Sequence, residues 1–295
     1  MLGIIYSLVP MVMWGSVGFA ANKLGGSAKQ QTMGMTIGAF FFALVVFILM
    51  RPPMSSVIFI FGFCGGLLWA IGQFAQFNSM KYLGVSVASP LSGGSQLVLG
   101  SVLGVLAFHE WTKSLQFFLG TVAIVLLLIA FYFSAKRDPN SPHVMENLSI
   151  PKGFKWLTIS TLGYVAYVVL YNNFWSIWFA SKPDTLSLIL PMSLGMMTGA
   201  LVLAKGAVKF GKFVIKNTLV GVMWGVGNIF MLIAANLAGI AIALTFSQLG
   251  ALISTVLGIA FLGEKKTSRE KVYISIGGVL FVVGAVILGV VKANG

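Results

Sequence analysis

Residues 66–73 read GLLWAIGQ, and residues 221–228 read GVMWGVGN, so glycine, tryptophan and a side-chain amide recur at matching positions. The offset between the two stretches is 155 residues, and the agreement continues through residues 66–110 and 221–264, where a serine and a closing glutamate also match. Chance matches of glycine and leucine are common in apolar sequence, but this combination at a nearly constant offset is not. We therefore predict that the chain consists of two related halves.

The amino-acid composition excludes an ordinary soluble globule. Of the 295 residues, 58% are hydrophobic and 8% are charged, whereas soluble domains carry about 25% charged residues. The net charge of +13 comes from short basic clusters between apolar runs and not from one basic face. We therefore expect no nucleic-acid partner, and we expect lipid to surround most of the chain.

Ten apolar runs have the length needed to cross a bilayer, since about 20 helical residues span the roughly 30 Å of hydrocarbon. The sequence therefore predicts an all-α membrane protein with ten transmembrane helices. The predicted spans are residues 3–22, 33–50, 56–78, 85–108, 115–134, 155–174, 185–204, 217–236, 239–262 and 272–291.

The longest connection between spans contains three prolines and mixed charge, as is typical of a linker. Each half then has five spans, and an odd number forces the second half to enter the membrane upside down. The prediction is two inverted five-helix repeats related by a pseudo-twofold axis in the membrane plane. The boundaries are residues 1–134 for the first repeat, 135–154 for a cytoplasmic linker and 155–295 for the second repeat.

Charged residues in the loops predict the orientation of a multi-pass protein in the cell membrane. The side that holds the amino terminus has four basic residues, and the opposite side has the other fifteen. Because basic loops remain in the cytoplasm, this count places both termini outside the cell.

Uncharged polar side chains within the spans suggest a binding site. Trp69 and Gln73 are four residues apart and share a helix face, and Trp224 and Asn228 repeat that arrangement. Amides and hydroxyls both donate and accept hydrogen bonds, and an indole face suits the C–H surface of a sugar, so the set fits a neutral polyol. Hydrogen bonding between helices is the alternative explanation. The candidate substrate-binding residues are Trp69, Gln73, Ser92, Gln96, Trp224, Asn228, Ser247, Gln248, Trp14 and Tyr164.

The fourth span contains Pro90, followed by Gly93 and Gly94. Proline removes an amide from the helical hydrogen-bond ladder, so we expect backbone carbonyls to be freed in this span.

Residues for catalysis are scarce, so we expect no enzyme, no catalytic or metal site and no cofactor. His109-Glu110 lacks the second histidine of a zinc motif, because Lys113 stands at that position. All six acidic residues fall in loops or at span ends. We interpret Glu110 and Glu264 as anchors at helix ends, with a role in ion coupling as the alternative.

Several motifs resemble those of the drug/metabolite transporter superfamily, whose halves end in Gly-Glu before a glycine-containing last helix. Gly263-Glu264 and Gly277-Gly278 match this pattern in the second half, whereas the first half has His109 in place of the glycine. The motifs that resemble its bacterial glucose/ribose uptake branch are Trp14-Gly15, Asn22-Lys23, the run from Trp69 to Gln76, and Ser89-Pro90-Leu91-Ser92.

This resemblance implies a secondary transporter that takes up glucose, ribose or a similar monosaccharide by alternating access, with or without a coupled proton. Its partners would be the sugar and membrane lipid. The sequence does not indicate whether the chain is a monomer or an oligomer. Two alternatives stay open: an exporter of amino acids, other metabolites or drugs on the same fold, and a structural or lipid-handling membrane subunit. Many members of the superfamily are drawn with both termini in the cytoplasm, against the charge count.

Overall fold

A computed structural model describes residues 2–139, 149–175, 185–205, 208, 210–239, 243 and 246–293. Within these residues the chain forms ten α-helices and no β-strand. A π-helical turn, Leu170–Phe174, directly follows the sixth helix. The helices are α1 (Leu2–Leu24), α2 (Ala28–Met50), α3 (Ser56–Leu83), α4 (Val85–Leu106), α5 (Ser114–Ala135), α6 (Ile150–Val169), α7 (Thr185–Leu203), α8 (Lys212–Ala238), α9 (Gly250–Phe261) and α10 (Ser268–Ala293).

Eight of the ten helices in the described part of the chain are long and apolar enough to cross a membrane, the exceptions being α6 and α9. The first turns of α6 contain Lys152 and Lys155, which lower its hydropathy, and α9 lies in a shorter apolar helical stretch, Phe246–Phe261. Every predicted span overlaps one of the ten helices, although α9 covers only the second half of the span predicted at 239–262. The predictions for residues 240–242, 244–245, 140–148 of the linker and the two terminal ends lie outside the described residues.

Helix α6 begins at Ile150, five residues earlier than the span predicted to start at residue 155. Pro151 is typical of a loop, but proline is also well tolerated in the first turn of a helix, where its missing amide would have no helical partner. The amide of Gly153 donates to the Ser149 carbonyl at 2.8 Å, which closes that first turn.

The chain divides into two compact units, and each takes segments from both sides of the linker. The first unit comprises Met1–Phe19, Ser79–Phe154 and Gly227–Gly295. The second unit comprises Ala20–Asn78 and Lys155–Val226.

Glycines allow helix backbones to approach closely in the second unit. A side chain at Gly38 would collide with the Thr218 carbonyl on α8, and one at Gly66 would collide with the Met192 carbonyl on α7. Close packing of this kind provides the van der Waals contact that holds helices together in lipid, where the hydrophobic effect gives them no reason to associate.

In the first unit, α5 packs against α10. Leu127 and Ala130 of α5 and Phe281 and Leu288 of α10 belong to one buried apolar cluster. At its edge the Gln116 side chain donates to the Val291 carbonyl at 3.5 Å, so a polar contact joins the start of α5 to the end of α10.

Candidate functional site

Four of the predicted site residues meet in the second unit. Trp69 and Gln73 come from α3, Tyr164 from α6 and Trp224 from α8. The Trp69 ring contacts the other two rings, with its centroid 5.5 Å from that of Trp224 and 6.0 Å from that of Tyr164, both edge-on. All four side chains are buried; Trp69 is 3% exposed and Gln73 is 2% exposed.

Hydrogen bonds connect the polar members of this group through Gln76, a residue that the sequence reasoning missed. The Tyr164 hydroxyl lies 2.7 Å from Oε1 of Gln73 and 3.0 Å from Oε1 of Gln76, and its single proton is shared between these two acceptors. The Gln73 amide also donates to Oε1 of Gln76 at 3.2 Å. Helical spacing could have revealed Gln76, since it follows Gln73 by three residues and Trp69 by seven. We refer to Trp69, Gln73, Gln76, Tyr164 and Trp224 as the aromatic–amide cluster.

Two glycines bring α3 and α6 together at this cluster. A Cβ atom at Gly163 would lie 2.6 Å from the backbone nitrogen of Gly72 and 2.9 Å from its Cα, so the two backbones touch. A Cβ atom at Gly72 would lie 2.9 Å from the Tyr164 ring. The missing side chains therefore set the distance at which the Tyr164 hydroxyl reaches Gln73.

A row of tyrosines continues from the cluster along α6. Tyr167 lies edge-on to Tyr164 with 6.3 Å between ring centroids, and Tyr171 lies edge-on to Tyr167 at 5.8 Å. The Tyr171 hydroxyl donates to the Gly62 carbonyl at 3.0 Å. Tyr171 belongs to the π-helical turn, an irregularity often found at functional sites.

The cluster offers hydrogen-bonding groups and aromatic faces without a formal charge. An amide supplies both donors and acceptors, a phenol supplies one of each kind, and the rings supply apolar surface. These are the groups that can hold a neutral polyol by its hydroxyls and its C–H faces. Among the described residues, no group of three or more His, Cys, Asp or Glu could hold a metal ion.

The other six predicted site residues lie in the first unit, where they make contacts of their own. The Gln96 amide donates to the carbonyl of Ser92 at 3.0 Å and to its hydroxyl at 3.1 Å. Oε1 of Gln248 lies 3.4 Å from the Cβ position of Gly93. The positions of the remaining three are as follows: Ser247 is buried, the Trp14 indole lies against Gly227, and Asn228 follows Gly227 on α8.

Pro90 leaves a carbonyl free within α4, as expected. Proline lacks the amide that would bond to the carbonyl four residues earlier, which belongs to Ser86. The Thr255 hydroxyl of α9 donates to that carbonyl at 3.1 Å. A side chain from another helix therefore satisfies the backbone group that the proline releases.

Glu264 holds the start of α4. Its carboxylate accepts hydrogen bonds from the Val85 amide at 2.5 Å, the Ser86 amide at 3.2 Å and the Ser86 hydroxyl. The first amides of a helix have no partner within it and carry partial positive charge, so a carboxylate there is stabilising. This geometry is that of the helix-end anchor expected for Glu264.

The sequence matches a known family and several bacterial proteins. Residues 5–291 match the family described as "Sugar transport protein". A Lactococcus lactis protein named "Putative sugar uptake protein YxfA" is 61% identical over 295 residues, which are 100% of both chains. "Putative sugar uptake protein M6_Spy1874" of Streptococcus pyogenes is 53% identical over 293 residues, covering 99% of this chain and 100% of that one.

A solved crystal structure has the same overall fold. It aligns with a TM-score of 0.56 over 99% of this chain and 98% of its own. At 14% sequence identity, this likeness concerns the fold alone.

Proposed function

This chain belongs to the sugar transport protein family, and we propose that it is a secondary transporter that takes up a monosaccharide such as glucose or ribose by alternating access. The observation that carries the proposal is the aromatic–amide cluster. It places two indoles, a phenol and two amides in contact, and none of its five side chains carries a formal charge.

The chemistry of the cluster favours a sugar over a charged solute. An amino acid or a nucleotide brings charges into the protein, and burying them without a partner costs far more than burying a hydroxyl that is hydrogen-bonded. A sugar needs only donors, acceptors and apolar faces, which Gln73, Tyr164 and Trp69 supply. An exporter of amino acids or other charged metabolites is therefore less favoured than a sugar transporter.

For the mechanism, we propose ten membrane spans arranged as two inverted five-helix repeats, residues 1–134 and 155–295, that rock around a central site. Matching backbone conformations at equivalent positions support the repeat. Gly84 and its equivalent Gly239 have φ of 82° and 86°, and His109 and its equivalent Gly263 have φ of 51° and 71°. All four φ angles are positive, a range that residues other than glycine rarely adopt.

We also propose the six first-unit candidates as substrate-binding residues. Ser92, Gln96, Ser247 and Gln248 supply hydroxyls and amides, and Trp14 and Asn228 add an indole and a further amide. Single substitutions of these residues are the direct test of their contribution.

For the orientation, we propose that the fifteen basic loop residues and the linker at 135–154 face the cytoplasm, with both termini outside. A reporter that fluoresces only in the cytoplasm, fused to the carboxyl terminus, would then stay dark. Fluorescence from that fusion would contradict the proposed orientation and would leave the proposed substrate unaffected.

Uptake into proteoliposomes tests the proposed function. Labelled glucose, ribose, glutamate and glycine are each offered to vesicles that contain the purified chain, with and without an imposed pH gradient. We expect one of the sugars to accumulate or exchange and the amino acids to remain outside. Amino-acid transport without sugar transport would contradict the proposal, and the effect of the pH gradient decides whether a proton is coupled.

A further inference from the structure

A basic pocket lies in the first unit, at the segment that links α9 to α10. Its volume is about 270 Å³, far more than the roughly 30 Å³ of one water. The segment joins two apolar helices, so in a membrane it lies at the surface of the bilayer. The pocket is lined by Ile259, Gly263, Glu264, Lys265, Lys266 and Lys271, which gives three ammonium groups against one carboxylate.

The carboxylates around this pocket are already engaged by other donors. Glu264 accepts hydrogen bonds from the first amides of α4. Glu270 accepts from the Thr267 amide at 3.2 Å and lies 3.8 Å from the Arg137 guanidinium. Both carboxylate side chains are buried, so neither can form an ion pair with a lysine that is exposed to solvent. The positive charge of the pocket is therefore open to an anion from outside.

Lys266 forms the buried part of the pocket, with 9% of its surface exposed. The pKa of its ammonium group is lowered to about 8, chiefly by burial and also by the nearby Arg137, against the opposing effect of Glu264 and Glu270. An anion in the pocket would stabilise the charged form of this lysine. Lys265 and Lys271 are exposed at the rim, where they can contact such an anion directly.

The neighbourhood of the pocket favours a lipid as the source of the anion. Lys136 lies over the rings of Tyr132, at the end of α5, and Tyr273, near the start of α10, 5.2 and 4.7 Å from their centroids. Basic and aromatic residues gather in this way at the interface between a membrane and water. Lysines at that depth attract anionic headgroups.

We propose that the pocket of Lys265, Lys266 and Lys271 binds the phosphate group of an anionic phospholipid headgroup. Lys265 and Lys271 contact the phosphate oxygens, and the buried Lys266 contributes the positive charge of its ammonium group. The proposal requires that the chain lie in a membrane, but it does not depend on which solute is transported.

Native mass spectrometry of the purified full chain, titrated with phosphatidylglycerol or phosphatidylcholine, tests this binding. We compare the wild type with Lys265→Gln/Lys271→Gln and with the control Lys81→Gln/Lys152→Gln. The control removes the same charge from the first unit, beside the Tyr82 ring, where the two ammonium groups lie 5.8 and 6.0 Å from the ring centroid. We expect phosphatidylglycerol to bind about tenfold more weakly to the pocket variant, since charge-assisted contacts are lost there, and nearly normally to the control. Equal weakening in both variants, or none in the pocket variant, would overturn the proposal.

Two further measurements, of competition with inorganic phosphate and of the pH dependence of affinity, identify the ligand and the role of Lys266. Inorganic phosphate should fail to displace bound phosphatidylglycerol, and displacement would make free phosphate the ligand and overturn the lipid assignment. Affinity should fall between about pH 7 and about pH 9.5, since Lys266 loses its proton, and Lys266→Met should abolish that fall. A fall that persists in Lys266→Met would remove Lys266 from the site. Sugar uptake is not part of these readouts, so their failure would leave the proposed function standing.

Discussion

The Tyr164 hydroxyl lies 2.7 Å from Oε1 of Gln73, although 91 residues separate the two in sequence. The bond holds the Gln73 amide against Tyr164, and it joins α3 to α6 at a point where their backbones touch. If the cluster is the sugar site, as we propose, the sugar meets an amide that is already oriented, which lowers the entropy lost on binding.

Removing the hydroxyl tests this orientation. Tyr164→Phe keeps the ring against Trp69 but leaves the carbonyl groups of Gln73 and Gln76 without that donor. We expect KM for sugar exchange to rise about threefold to tenfold, the effect of one net hydrogen bond of about 0.5–1.5 kcal/mol. Tyr167→Phe, which removes a hydroxyl one turn farther along α6, is the control and should change KM little. Equal effects in the two variants would show that the Gln73 contact has no special role.

The contact between Gly72 and Gly163 gives a second prediction. In Gly163→Ala the new methyl group meets the Gly72 backbone at 2.6 Å, so α3 and α6 must separate. We expect a lower thermal midpoint, from an overpacking cost of about 1–3 kcal/mol, together with a loss of sugar exchange. Gly100→Ala is the control, because no atom lies within 4 Å of its Cβ position. Normal exchange in Gly163→Ala would contradict the close contact.

Helix positions were predictable because span length and hydropathy alone determine them. The start of α6 was missed because Pro151 is compatible with both a loop and a first helical turn. Helical spacing could have placed Gln76 beside Gln73, but its bond to Tyr164 could not be predicted, because 88 residues separate the two in sequence. The partner of Glu264 could not be predicted either, since 179 residues separate it from Val85 and no local pattern connects them. The two compact units gather segments from both sides of the linker, a division that hydropathy does not encode.

Backbone conformation at the Gly-Glu motif gives a third prediction. Gly263 has φ of 71° and no atom within 4 Å of its Cβ position, so an alanine there meets strain but no clash. We expect Gly263→Ala to lose about 1 kcal/mol of stability, measured as a lower thermal midpoint in detergent. Gly100→Ala is the control, because its Cβ position is equally free of neighbouring atoms but its backbone is helical. It should not lower the thermal midpoint. An unchanged midpoint for Gly263→Ala would rule out the left-handed conformation.

The anchor role of Glu264 gives a fourth prediction. Glu264→Gln removes the negative charge from the start of α4 and weakens the bonds to Val85 and Ser86. We expect a lower thermal midpoint, since hydrogen bonds to a charged group contribute about 1.5–3 kcal/mol, while sugar exchange between equal concentrations continues. A normal midpoint combined with lost exchange would contradict the anchor and would favour a role in ion coupling.

The most direct test of the sugar site compares two tryptophans of the second unit in sugar counterflow. Trp69 lies in the aromatic–amide cluster, whereas Trp156 packs edge-on against Phe74 at 5.7 Å, outside it. Purified Trp69→Ala and Trp156→Ala are reconstituted at equal amounts, and exchange of labelled glucose and ribose is measured. We predict that Trp69→Ala loses at least about 90% of exchange, a barrier change of about 1.4 kcal/mol or more, and that Trp156→Ala keeps most of it. Wild-type exchange in Trp69→Ala would contradict a sugar site at this cluster.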